Sequence, residues 1–469
     1  MKQKSFRKNR FVFISILAGL ACLVAAEQNP WQGWKHRLPI VLTERNAATA
    51  GRIPVDVTFS MFAADVGDPL KEIRLVLKTA AGEKEVPFQL SRVSTWNRDT
   101  DDVKSLPTIT GMITFFDVAP GSGMAEYTLL YGNPAAQAPV YATDLSVSGE
   151  KPAWTVENSK MTVRFHGRSP ANGDPAKALR KGTGMMKIVQ PAHNTNFNSG
   201  QLAQVILKSR PESPIAPYTG VMHWEPGIFV PVRGWIHAFD WDPPPVCEIV
   251  KGPLFVEIRR SGPFPKIPEV KLSITYRIFT DRTYVESSTR VEILEPIGVV
   301  SLRNNAMVFD NGTFTHMAWL RDGIPVVKSL KEYPPVNAHS DVLRVSDGTP
   351  FFAFLNPAER IGAATIKDMA ANISPDGTPP VLFDNSFYVS NEGSEGLQYF
   401  FRPLIYFNVG WDRKQLIMVP QGSIYAERNF FLFFEANGEN PIQDVLTLSS
   451  AATGRPEIAI GPFKMPPAR

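Results

Sequence analysis

Gly252–Leu294, GPLFVEIRRSGPFPKIPEVKLSITYRIFTDRTYVESSTRVEIL, reads as three successive long strands. In the middle segment Lys271, Ser273, Thr275 and Arg277 alternate with Val270, Leu272, Ile274, Tyr276 and Ile278, a period of two that sends alternate side chains to opposite faces of a sheet. The next segment repeats the pattern, with Tyr284, Glu286, Ser288, Arg290 and Glu292 set against Val285, Thr289, Val291 and Ile293. One face is apolar and belongs in a core, while the polar, ionisable face is expected in the open, as in antiparallel sheets solvated on one side. Such a face suits a sugar polymer. It equally suits solvent, or a cross-strand lattice of ion pairs among Arg277, Glu286 and Arg290.

The same texture extends along the sequence. Helix-period apolar patterns are nearly absent, and 41 prolines and 33 glycines punctuate short alternating runs, which predicts an all-β protein. Runs 37–42, 53–59, 73–78, 85–90, 112–116 and 126–131 predict a small N-terminal β-barrel or sandwich over 27–140, closed off by Tyr131-Gly132-Asn133-Pro134 and the small residues 135–138. Longer strands from Trp154 to Phe434 predict a large antiparallel two-sheet β-sandwich, a supersandwich, over 150–438, followed by a C-terminal tail over 439–469. The segment 211–246, rich in Pro, Trp and His, is expected as a long structured loop.

Lys2, Lys4, Arg7, Lys8 and Arg10 precede the apolar run Phe11–Val24 and the small residues Ala25 and Ala26, the pattern of a cleaved export signal over 1–26. That run is too short to span a bilayer, and no later segment approaches the required length, so no membrane span is expected. Cys22 lies inside the signal, where Gly19, Leu20 and Ala21 make a poor approach to a lipid-attachment cysteine. With the signal gone the formal +4 becomes about −1, and no basic run remains to favour nucleic acid. Cys247 is then the remaining cysteine, so stability must come from core size rather than a disulfide. A periplasmic or secreted protein fits these features.

Three regions can carry chemistry. His193 lies in Gln190-Pro191-Ala192-His193-Asn194-Thr195-Asn196-Phe197-Asn198, where alternating Asn194, Asn196 and Asn198 can bind hydroxyls or a carboxylate and the imidazole can move a proton near neutral pH. An Asn-rich turn capping its own backbone is the plainer alternative. His223-Trp224-Glu225 and His237-Ala238-Phe239-Asp240-Trp241-Asp242, with Trp235, bring indoles, imidazoles and acids into one loop. Indole faces stack on sugar rings and the polar groups take hydroxyls, while Arg233 can grip a carboxylate with two parallel bonds. These acids and imidazoles can also ligate a metal such as calcium, but no recognised ligand spacing is present and no cofactor is expected. His316 is expected on a strand, sharing a face with Phe314 and Ala318. No nucleophile elbow, phosphate loop, dinucleotide fingerprint or zinc motif occurs.

Trp34-Lys35-His36-Arg37-Leu38-Pro39-Ile40-Val41, Ile73-Arg74-Leu75-Val76 and Val86-Pro87-Phe88-Gln89 resemble the N-terminal barrel domain of exo-rhamnogalacturonan lyase-like proteins. Val250-Lys251-Gly252-Pro253-Leu254, Thr275-Tyr276-Arg277-Ile278-Phe279 and Tyr425-Ala426-Glu427-Arg428-Asn429 resemble the large sandwich of polysaccharide lyases and galactose mutarotases. The resemblance implies β-elimination at a uronic acid in a polysaccharide or oligosaccharide. It requires a group to neutralise the carboxylate, a base to take the neighbouring proton and an acid for the leaving oxygen. Arg233 or the asparagines beside His193 would neutralise, His193 or His316 would be the base, and Tyr276 or Tyr284 the acid. The alternation favours Tyr284 and makes Arg277 part of the platform that the substrate meets. A non-catalytic glycan-binding or envelope protein, and a mutarotase or epimerase, remain as alternatives, since fold alone does not choose a chemistry.

Overall fold

A computed structural model describes residues 30–96, 106–166, 200–216, 221–224, 226–231, 233–241, 246–332, 343–345, 348–376, 386–390, 397–406 and 416–461. The N-terminal unit contains β1 (His36–Arg45), β2 (Pro54–Phe62), β3 (Ile73–Thr79), β4 (Gly82–Glu85), β5 (Phe88–Trp96), β6 (Thr108–Phe116) and β7 (Gly123–Tyr131). Two short strands, β8 (Ser146–Ser148) and β9 (Thr155–Glu157), lead into β10 (Met161–Phe165) and β11 (Leu202–Leu207). The large unit continues with β12 (Gly227–Val230), β13 (Gly234–His237), β14 (Val246–Lys251), β15 (Phe255–Phe264), β16 (Ile267–Phe279), β17 (Tyr284–Ile293), β18 (Ile297–Val299) and β19 (Ser301–Asp310). After β20 (His316–Arg321), β21 (Ile324–Ser329), β22 (Leu343–Val345), β23 (Phe351–Asn356) and β24 (Ile361–Ile373) come β25 (Phe387–Ser390), β26 (Leu397–Tyr406), β27 (Ile417–Val419) and β28 (Ile424–Phe434). Helix α1 (Gln443–Thr453) and β29 (Glu457–Ile460) follow.

Among the described residues the protein is all-β apart from α1 and three single-turn 3-10 helices. The N-terminal unit is a sandwich and not a closed barrel: a sheet in the order β29-β1-β7-β3-β4 faces a sheet β2-β6-β5 across a core that includes Ile40, Phe59, Leu75, Phe115 and Leu129. The large unit pairs a nine-stranded sheet, β14-β15-β16-β17-β28-β24-β23-β20-β21, with a six-stranded sheet, β13-β12-β19-β26-β25-β22. Their inner faces share the largest core, with Tyr276, Phe309, Trp319, Phe354, Phe400 and Phe431. Of the residues 439–469 expected as a tail, those described, 439–461, carry structure of their own. Val445, Leu448, Ala451 and Ala452 of α1 pack under Phe351 and Phe430, and β29 pairs with β1, returning to the N-terminal unit.

The polar face of β16 and β17, expected in the open, is instead covered by the N-terminal unit over its central rows. Exposure falls to 4% at Arg277, 1% at Glu286 and 0% at Glu257, while Lys271 and Arg290 farther along the strands are exposed. The Arg277 guanidinium, placed by β16, donates to Asp56 Oδ1 and Oδ2 of β2 at 2.9 and 2.8 Å and to Glu286 Oε1 at 2.8 Å. Arg428 adds a 3.1 Å bond to Asp56 and pairs with Asp368, which also binds Arg455 beyond α1. Charges this deeply buried are tolerable only when each meets an opposite charge. A second lock lies beside it. Gln89 accepts from the N–H groups of Leu254 and Phe255 at 3.1 and 3.0 Å and donates to Phe255 O at 3.1 Å. Gly252 is required there because a Cβ would lie 2.2 Å from Gln89 Cδ. The Val-Pro-Phe-Gln and Val-Lys-Gly-Pro-Leu motifs are thus two halves of one joint.

Burial alone would raise the Asp56 carboxyl, but the hydrogen bond and charge of Arg277, with Thr114 and Arg428, hold it well below its free value of 3.8. Its contribution is therefore complete above pH 3.8 and is lost as the pH falls through the depressed folded value. Asp56→Asn is expected to lower stability at pH 7 by about 3 kcal/mol and to flatten the acid limb of the stability curve below pH 3.8, read by denaturant unfolding across pH. Unchanged stability at pH 7 would contradict the lock. Gly252→Ala is expected to lose about 2 kcal/mol, and adding it to Gln89→Ala is expected to cost nothing further, because the side chain it meets is then gone; unfolding midpoints of the two single variants and the double variant decide this.

Candidate functional site

With the centre of the nine-stranded sheet covered, the outer face of the six-stranded sheet is where chemistry-bearing side chains converge. The β12–β13 hairpin turns through Gly234, whose φ of +77° favours glycine, and aligns Phe229 with Trp235 and Gly227 with His237. Alternation sends Ile236 into the core and leaves Trp235 and His237 on the outer face. On the adjoining strand Gly227 also faces Arg303, so Arg303 of β19 shares that outer face. Beyond it, β26 presents Tyr399 and Phe401 outward and buries Phe400 inward, and β25 adds Tyr388.

These groups form one continuous line. The Arg303 guanidinium lies 3.8 Å from the Trp235 ring centroid and 4.0 Å from that of Phe401, sandwiched between two aromatic faces. On one side Trp235 stacks on His237 at 5.7 Å and 17°, and His237 stacks on Phe239 at 5.1 Å and 12°. Trp224 sits 5.5 Å from His237, its indole N–H donating to Val221 O. On the other side Phe401 stacks with Tyr388 at 5.7 Å and with Tyr399 at 6.1 Å. Trp224, Trp235 and Tyr399 are half-buried, and Arg303 and His237 lie deeper, at 8% and 6% exposure. A cation's two faces are covered by rings, its N–H bonds point in the plane between them, and an imidazole and two phenols lie along the same face.

The structure thus brings Trp224, Trp235 and His237 together, and it scatters the other residues that the sequence suggests. Arg233 is exposed in the β12–β13 turn and donates to Lys266 O at 2.6 Å. Trp241 is corrected to a core residue, 4% exposed, its indole donating to Pro263 O. Arg277 is committed to the joint between the units and is closed to a ligand. Tyr284 lies at that joint too, 2% exposed and donating to Arg52 O at 3.1 Å, with burial first among the causes that push its phenol up. His316 is half-buried on the outer face of the nine-stranded sheet, beside the Thr315 hydroxyl at 2.9 Å; it shares a face with Ala318 but not with Phe314, which lies before β20 and enters the main core. His193, Asn194, Asn196 and Asn198 lie outside the described residues. Among the described residues no group of three or more His, Cys, Asp or Glu is placed to hold a metal ion, and no helix is long and apolar enough to cross a membrane.

Behind this face, His223 and Tyr276 form a pair sealed between the sheets. Tyr276 donates to Gln201 Oε1 at 2.9 Å, so the 2.6 Å contact to His223 Nδ1 is an imidazole N–H donating to the phenol oxygen. Burial, with the Arg260 charge, pulls His223 down to about 3, and burial pushes Tyr276 up to about 12, so both stay neutral. This pair ties β16 to segment 221–224, whose last residue, Trp224, reaches the outer face.

No protein-family model matches the sequence, and no curated protein matches it. Among solved structures it is similar to a glycosyl hydrolase family 38 protein from Enterococcus faecalis, with TM-score 0.48 and 11% identity over 91% of this protein and 47% of that one. An α-mannosidase from Enterococcus faecalis V583 gives 0.47 and 11% over 91% and 46%. A putative aldose 1-epimerase from Escherichia coli K12 gives 0.31 and 9% over 62% and 99%. The protein spans about half the length of the first two.

Because the folded protein refuses a proton at His223 until about pH 3 while the unfolded state takes one near 6.5, stability is expected to rise with pH between those values. His223→Gln should flatten that rise in unfolding measured from pH 4 to 6.5; an unchanged slope would assign it to other groups.

Proposed function

We propose that the protein is carbohydrate-active and holds an oligosaccharide on the outer face of the six-stranded sheet. One observation carries this reading: Trp224, His237, Trp235, Arg303, Phe401 and Tyr399 form an unbroken line in which the guanidinium is sandwiched between the half-buried Trp235 indole and the buried Phe401 ring. Indoles offer flat apolar surface to pyranose rings, while Arg303 favours a sugar bearing a carboxylate. Export, as the first 26 residues suggest, would bring the face to extracellular glycans.

Within that reading the chemistry we favour is polysaccharide lyase activity, because a guanidinium and an imidazole share the face. Arg303 would neutralise the uronate carboxylate and His237 would take the proton beside it. The bond from the uronate ring to the oxygen of the departing sugar would then break as a carbon–carbon double bond forms, with a water protonating that oxygen. These roles replace those expected of His316 and Tyr284, which face elsewhere. A binding protein without turnover is the second reading, favoured by the deep burial of His237 and Arg303.

Neutral and uronate-containing oligosaccharides, titrated calorimetrically and followed at the ultraviolet absorbance of unsaturated uronates, test this. Trp235→Ala is expected to weaken uronate binding about tenfold, roughly 1.4 kcal/mol. Absorbance growth that His237→Ala abolishes supports the lyase, and binding without absorbance leaves the binding protein. Failure of every glycan to bind, or full affinity in Trp235→Ala, overturns the site.

A further inference from the structure

We infer that Glu427, buried on the opposite sheet, is the positioning residue that sets the geometry of Arg303; this deepens, and rests on, the reading of the outer face as the glycan site. The β19–β26 ladder is irregular where that face needs it most. Register shifts fall between Leu302 and Arg303 and between Asn304 and Met307, and Asn305 sits at φ +54°. Arg303 is aligned with Pro403, which has no N–H to donate. Backbone pairing alone therefore fixes this stretch weakly.

Glu427 supplies the missing constraint from behind. It lies on β28 with 4% exposure, its Oε2 accepts from Asn304 Nδ2 at 2.9 Å, and its Oε1 pairs with Arg402 Nη2. Asn304 and Arg402 are register partners across the two strands. Each is also the immediate neighbour of a face residue: Asn304 follows Arg303, and Arg402 follows Phe401. One carboxylate thus holds the inward members of both strands, while the outward members stack cation on ring at 4.0 Å. Asn304 Nδ2 also donates to Thr289 Oγ1 at 2.7 Å, and Asn305 Oδ1 accepts from Thr365 at 2.8 Å, so the irregular stretch is anchored to three strands of the nine-stranded sheet. Charge-assisted bonds in a dry interior have the strength and direction for this task.

The test is a double-variant cycle in glycan binding, using Glu427→Gln, which keeps the volume and removes the charge, and Arg303→Leu. If Glu427 acts through Arg303, Glu427→Gln weakens uronate-oligosaccharide binding about tenfold, and the double variant binds no worse than Arg303→Leu alone. Asn158→Ala, which removes a buried hydrogen-bonded side chain remote from the face, serves as a control for lost stability and should keep full affinity. Additive losses, wild-type affinity in Glu427→Gln, or an equal loss in the Asn158→Ala control would overturn the positioning role while Trp235→Ala still reports the face. Wild-type affinity in both Trp235→Ala and Arg303→Leu would instead remove the face itself, and this inference with it.

Discussion

The bidentate contact between Arg277 and Asp56 is the constraint on which the remaining architecture depends. It places a cation from the large sandwich and an anion from the N-terminal unit in a nearly dry interface with Glu286, Arg428 and Asp368 as further partners. Such a cluster has direction, so it fixes the orientation of the two units as well as their contact. Arg455, bonded to Asp368 and to Pro54 O, extends it to the segment around α1 and β29, which explains why both fold back onto the same joint. With the centre of one broad sheet face occupied in this way, the large unit is left to present its other outer face.

The two faces are connected through β28. In Tyr425-Ala426-Glu427-Arg428-Asn429, alternation sends Glu427 inward to Asn304 and Arg402 and Arg428 outward to Asp56 and Asp368. A single strand therefore carries the residue that holds the aromatic face from behind and one that docks the N-terminal unit. Its packing neighbours on the inner side, including the neutral His223–Tyr276 pair, join segment 221–224 to the same sheet.

Much of this architecture was legible in the sequence because the period of two is strong in β16 and β17 and because Pro and Gly punctuate the connections. The partition of Arg277 and Tyr276 to opposite faces followed directly from that period. What covers a polar face is a tertiary fact, however, and local sequence says nothing of Asp56, more than two hundred residues away. The Trp224, Trp235 and His237 cluster was readable because its residue types are unusual together. Arg303 was hidden for two reasons: the irregular register after it breaks the alternation of β19, and Tyr399 and Phe401 lie in a continuous apolar run with no contrast between faces. Tyr284 and Arg277 misled because ionisable residues in register suggest an open site, while the physics of a domain joint selects the same residues.

The most direct measurement is a crystal structure of the protein with an acidic oligosaccharide bound. The expected result is a sugar ring stacked on Trp235 with its carboxylate at Arg303, on the outer face of the six-stranded sheet. A sugar ordered elsewhere, such as along the exposed Lys271 and Arg290 rows of the nine-stranded sheet, with the Trp235 face bare, would contradict it.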